Sequence, residues 1–89
     1  MKILDGRDKR SIAEAVTLLE RGEIVAFPTE TVYGLGAVAF NPMAVAKIFE
    51  VKRRPRFDPL IVHLDSADRL DDYVENVPPE AERLIEAFW

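Results

Sequence analysis

From Pro28 to Gly36 the chain runs Pro-Thr-Glu-Thr-Val-Tyr-Gly-Leu-Gly, setting two hydroxyls, a carboxylate and a phenol within five consecutive residues. Those groups donate and accept hydrogen bonds in a small space, the equipment of a substrate-facing edge, although the same composition also suits an ordinary turn. A second dense segment follows: Lys52, Arg53, Arg54, Pro55, Arg56, Phe57, Asp58, Pro59, then Leu60-Ile61-Val62-His63. A guanidinium forks onto phosphate oxygens and an ammonium acts as a compact point charge, so Lys52 and Arg54 suit a triphosphate. A solvated basic loop would have the same spacing. His63, the sole histidine, ends an apolar run, where a satisfied core imidazole is as natural as a functional one.

Strands and helices must hold these segments. Residues 24–27, Ile-Val-Ala-Phe after Gly22, predict a short strand buried on both faces, ended by Pro28 because proline lacks the ladder donor. Gly34 and Gly36 then permit close approaches that a Cβ would block. Residues 11–21 carry apolar side chains at helical spacing, with Ser11 and Glu14 in capping-box form and Gly22 at the position that ends a helix. Asn41 and Pro42 make an N-cap and first-turn pair for a helix to about Val51, with Val45, Ile48 and Phe49 toward the sheet. Residues 2–4 predict a short edge strand and residues 60–64 a second buried strand. Asp65 or Ser66 caps a short helix to about Tyr73, and Pro78-Pro79 opens a last one through Phe88. Pro55 and Pro59 hold the residues between them extended. Short alternating strands and helices predict an α/β domain with a twisted, mixed, largely covered sheet and flanking helices.

Composition narrows the function classes. The 89 residues are 48% hydrophobic, a globular composition for one small domain or part of a larger one. There is no cysteine, which excludes disulfides and thiolate metal sites, and no apolar run long enough for a membrane span. The N-terminal residues carry charges and no apolar signal region, so a cytoplasmic protein is expected. Through Leu64 the chain has ten basic and eight acidic residues, net +2; from Asp65 it has two and eight, net −6. An anion site therefore belongs in the first part, where Lys47, Lys52, Arg53, Arg54 and Arg56 could bind phosphates.

Taken together, the PTETVYGLG strand-turn-strand, the intervening helix and the Lys-x-Arg-Pro segment leading into Pro-Leu-Ile-Val-His resemble the threonylcarbamoyl-AMP synthase family, the YrdC-like domain. The resemblance is close over residues 23–64 and looser in the flanks. It implies a nucleotidyltransferase that condenses L-threonine, bicarbonate or CO2 and ATP into threonylcarbamoyl-AMP and pyrophosphate. The threonylcarbamoyl group would go on to an adenosine of certain tRNAs, giving threonylcarbamoyladenosine. The resemblance also implies a threonine site at Thr31 and His63, with Thr29 and Tyr33 as neighbours, and nucleotide contacts at Lys52, Arg54 and Asp58.

Asp58 departs from the asparagine usual in the family. An ionised carboxylate accepts but cannot donate, so the substitution is either tolerated at some cost in nucleotide affinity or supplies a magnesium ligand beside the phosphates. Arg53 and Arg56 have no counterpart and are read as surface charge or RNA contacts. Because the family's domain is longer and carries a further Ser-x-Asn motif, residues 1–89 are expected to form a single incomplete YrdC-like domain, its N-terminal half. Such a chain would be a poor enzyme alone. It would also self-associate through uncovered sheet and apolar residues such as Phe88 and Trp89. A double-stranded RNA or tRNA-binding module is the alternative function.

Overall fold

Asp8 starts the first helix: its carboxylate accepts from the Arg10 N–H at 2.9 Å, and its carbonyl accepts the first helical bond from Ile12. Helix α1 therefore spans Lys9–Glu20, beginning earlier than a Ser11 cap would allow. Aspartate caps at least as well as serine, and here it also sets a negative charge beside Lys9 and Arg10, whose charges oppose the positive end of the helix dipole. Glu14 pairs with Lys2 rather than folding back on the helix start. These positions come from a computed structural model that describes residues 2–55 and 59–89.

The chain divides into two compact units, Met1–Pro59 and Leu60–Trp89. In the first, α1 ends in a paired reversal: Gly22 donates to the Leu19 carbonyl and Glu23 to the Leu18 carbonyl, both at 3.0 Å, with Gly22 left-handed at φ 84°. This arrangement satisfies carbonyls that the helix end would otherwise leave open, and it requires the residue type that sequence reasoning assigned to it. Strand β1 (Val25–Phe27) then pairs antiparallel with β2 (Gly34–Gly36), Phe27 opposite Gly34 and Val25 opposite Gly36. The Phe27 ring crosses β2 so closely that a Cβ on Gly36 would lie 2.7 Å from Cε1, whereas one on Gly34 would meet it at an ordinary 3.5 Å. Of these two glycines, Gly36 is the one required by a close approach.

Helix α2 (Pro42–Lys52) opens as its sequence dictates. The Asn41 side chain accepts from the Met43 and Ala44 N–H groups, and Pro42 fills a first-turn position that needs no donor. Its inner face supplies the buried apolar residues, Ala44 and Ile48. Val45 and Phe49 are half-buried. Lys47 reaches back to the Gly22 carbonyl at 3.0 Å and to Glu23 at 3.5 Å, tying α2 to the turn that follows α1. α2 ends at Arg53, which takes the left-handed conformation at φ 53°. Arg53 donates to Glu50 and Arg54 to Phe49.

The second unit holds a 3₁₀ helix, Ala67–Asp72, capped by the Ser66 side chain, and helix α3, Pro79–Phe88. α3 has no side-chain cap, but Glu80 and Glu82 in its first turn complement the dipole. Among the described residues no helix is long and apolar enough to cross a membrane.

Several expectations need correction. Residues 2–4 form no strand, and neither do residues 60–64, where Ile61 is 83% exposed. An apolar run favours a covered strand, but its backbone groups need a ladder partner, and no described segment pairs with either run. β1 is not buried on both faces, since Ala26 and Phe27 are exposed. The sheet of the described residues is the antiparallel β1–β2 pair, with no parallel neighbour to make it mixed. The extended segment expected between Pro55 and Pro59 lies outside the described residues.

Three stability effects follow. Gly22→Ala forces a Cβ into a left-handed backbone and to 2.9 Å from Asn41 Nδ2, and should cost about 1–2 kcal/mol in urea unfolding followed by circular dichroism. Arg53→Gly, at the other positive φ, should leave stability unchanged or raise it by up to about 1 kcal/mol, because strain relief is opposed by greater freedom of the unfolded chain. The Asp5 carboxyl is held below its ordinary value of 3.8 by the Arg7 backbone N–H and, second, by its guanidinium. Its contribution is therefore present above 3.8 and lost as pH falls through the lowered folded value, and Asp5→Asn should flatten that acid limb of the stability profile.

Candidate functional site

The bend between β1 and β2 is organised by one hydroxyl. Thr29 Oγ1 accepts from the Thr31 N–H at 3.2 Å and the Val32 N–H at 3.1 Å, and it donates to the Val32 carbonyl. A threonine side chain that bonds the backbone two and three residues ahead replaces the ladder that Pro28 interrupts. The Thr31 hydroxyl lies 3.4 Å from that of Thr29. Thr29, Glu30, Thr31 and Tyr33 are all exposed, so the hydroxyl-rich bend faces outward as the sequence predicts.

At the end of α2 the basic residues take different positions. Lys52 is the last helical residue, exposed, where a cation is favoured by the negative end of the dipole. Arg53 is exposed. Arg54 is half-buried, with its Nε buried and Nη2 donating to the Pro59 carbonyl at 3.0 Å. One terminal nitrogen thus ties Arg54 to the Pro59 backbone. Asp58, the third expected nucleotide contact, lies outside the described residues, as does Arg56.

Both segments belong to the first unit, and they border a common hollow. Pro28 and Tyr33, flanking the bend, and Val51, next to Lys52, line it together with apolar residues of α1 and β1 that include Val16, Leu19 and Phe27. The described lining does not include Thr29, Thr31, Lys52 or Arg54. The hollow is open and mostly apolar, so the hydroxyls and cations stand at its border rather than in its floor. His63 belongs to the second unit, exposed, in an irregular segment. Among the described residues no three His, Cys, Asp or Glu side chains gather to hold a metal ion.

Two contacts gave no signal in the sequence. The Pro59 carbonyl that anchors Arg54 and the Gly22 carbonyl that takes Lys47 are backbone groups, which no residue type announces. The role of Thr29 had a partial signal, since threonine after a strand-ending proline is a common turn former.

Comparison with known proteins identifies the family and the fold. Residues 17–89 match the Sua5/YciO/YrdC family profile, whose description is telomere recombination. The chain is 53% identical over 78 residues to the threonylcarbamoyl-AMP synthase of Bacillus subtilis, covering 88% of this chain and 22% of that protein. It is 49% identical over 75 residues to the Pyrococcus abyssi threonylcarbamoyl-AMP synthase, covering 84% of this chain and 22% of the relative. A solved structure of a doubly substituted P. abyssi Sua5 superposes with a TM-score of 0.86 at 46% identity, over 92% of this chain and 25% of that one. The chain thus spans about a fifth of the length of these two curated relatives. Helices around a small antiparallel sheet, in the arrangement of the archaeal protein, carry the motif residues, and the chain belongs to the Sua5/YciO/YrdC family.

Proposed function

We propose that the chain is the N-terminal part of a YrdC-like domain and contributes one wall of an L-threonylcarbamoyladenylate synthase site. The observation that carries this reading is that residues flanking the hydroxyl bend and the end of α2 line one hollow, in a chain whose relatives bear that enzyme's name. L-threonine would lie against Thr31, with Thr29 and Tyr33 as the neighbouring contacts, and the family resemblance assigns His63 to the same ligand. The ATP phosphates would meet Lys52 and Arg54, with Asp58 beside them as a tolerated substitution or a magnesium ligand.

In the reaction, the threonine amine adds to CO2 to give a carbamate, whose oxygen attacks the α-phosphorus of ATP. Pyrophosphate leaves, and water is the other product when bicarbonate supplies the carbon. Nothing in this sequence of steps needs a covalent enzyme intermediate. Binding the anionic partners in line and offsetting their charge provides most of the assistance. Such an enzyme acts on tRNA metabolism and fits a cytoplasmic location.

Calorimetric titration tests the reading. L-threonine and ATP should each bind weakly, D-threonine should not bind, and Lys52→Ala should weaken ATP by about fivefold with little effect on threonine, as expected for one exposed charge-assisted contact. Lack of any ligand-induced shift at Thr31 or Lys52 in NMR spectra would reject it. Exposure of both Lys52 and Arg53 favours RNA binding as the second reading. A steep loss of RNA affinity with added salt, without any threonine effect, would select it.

Self-association belongs to the same proposal. Phe88 is 84% exposed and Trp89 59%, next to Leu84 at 60% on the same helix end. Apolar side chains gathered in this way favour pairing with a second chain. Sedimentation velocity should show a concentration-dependent dimer that Phe88→Glu with Trp89→Glu converts to monomer; a wild-type monomer at all concentrations would count against it.

A further inference from the structure

We propose that helix α3 of one copy of the chain packs into the apolar hollow of a second copy, and that the exchange is reciprocal, giving a closed dimer. This rests on the self-association argued above and names the surface that receives the apolar end of α3. Ile12, Val16 and Leu19 recur at helical spacing on α1, and with Ile24 and Phe27 they line a hollow of about 1410 Å³. Ile12, Val16 and Phe27 are exposed there. Sites for small molecules measure roughly 300–1,000 Å³. The hollow is larger and mostly apolar, so it fits a polypeptide element better than a polar metabolite. Its described lining does not include Thr31 or Lys52, so an element seated in it uses a different surface from the proposed ligand contacts.

Helix α3 has the complementary form. Ala81, Leu84, Ile85 and Phe88 recur at the three- and four-residue spacing that puts side chains on one side of a helix, and Leu84 and Phe88 are exposed. The ten residues of α3 make a cylinder about 15 Å long and about 10–12 Å across, roughly 1,200–1,700 Å³, the size of the hollow. Charge favours the match. Leu60–Trp89, which contains α3, has two basic and eight acidic residues, net −6, while Met1–Pro59, which contains the hollow, has ten and eight, net +2. In the lining, Glu23 is already paired with Lys47, and Arg21 is exposed to an incoming carboxylate. Every copy carries both the hollow and the helix, so two copies cover each other's apolar faces and the two-fold exchange closes.

The chain has no cysteine, so introduced cysteines report the contact directly. When full-length Val16→Cys and Leu84→Cys chains are mixed and oxidised, the disulfide between positions 16 and 84 of different chains should form in preference to 16–16 and 84–84 bonds, and sedimentation should give twice the chain mass. Val16→Glu should weaken the dimer by about tenfold or more with unchanged helical circular dichroism, as burial of a carboxylate against an apolar helix implies. If that variant does not fold, the cysteine mixture decides alone. A dimer joined only through 84–84 bonds would mean that the α3 ends pair with each other; it overturns the proposal and leaves self-association standing. A chain carrying both Val16→Cys and Leu84→Cys that closes its disulfide within one monomer overturns it as well, as does a dimer indifferent to Val16→Glu. A wild-type chain that is monomeric at all concentrations rejects the exchange and self-association together.

Discussion

The left-handed backbone at Gly22 is the constraint from which the first unit is built. It lets the end of α1 close on itself, with Gly22 and Glu23 returning to Leu19 and Leu18. Its carbonyl takes the Lys47 ammonium of α2, and its missing side chain leaves room for Asn41, which caps α2. One position thus ends one helix, ties it to the next and clears space for that helix to begin. Burial is sparse here, since Ala44 and Ile48 are the buried apolar residues among those described. With so little apolar surface fully removed from water, satisfied backbone groups have to define much of the geometry that a larger core would otherwise enforce.

Two further reversals extend this logic to the site. The Thr29 bend turns β1 into β2, and the left-handed Arg53 turns the chain out of α2. Each is built from hydrogen bonds over at most five residues, so each forms with little loop-closure cost. Each also brings a chemically capable residue to the chain's outer surface, Thr31 in one case and Lys52 in the other. The Arg53 backbone differs in being held by a residue that rarely adopts it, which makes it a place where conformational energy is stored next to the cationic segment.

Local features were legible in the sequence because their determinants are local. Asn41-Pro42 named the start of α2, Gly22 the end of α1, and Pro28 the end of β1, each through a single backbone requirement. The start of α1 was harder because Asp8 and Ser11 are both competent caps. The choice turns on the helix dipole acting on Lys9 and Arg10, not on cap preference alone. Residues 60–64 have the composition of a covered strand, yet strand formation depends on a neighbour that composition does not describe. The tie from Lys47 to a carbonyl 25 residues earlier in the chain was not legible, because a backbone acceptor leaves no mark in any side chain.

The same reasoning explains why a motif's like residues need not share a role. In the bend, two threonines flank Glu30; at the end of α2, two cations flank Arg53. Within each pair one member is drawn into the backbone, Thr29 by the turn and Arg54 by the Pro59 carbonyl, while its partner stays exposed at the surface. Backbone groups left without partners cost about 1–3 kcal/mol when shielded from water, comparable to what one ligand contact supplies. A binding segment built on irregular backbone therefore has to spend part of its polar side chains on holding its own shape. Residue type alone cannot say which ones. The hydrogen bonds each side chain makes to the backbone can, as those of Thr29 within the bend do here.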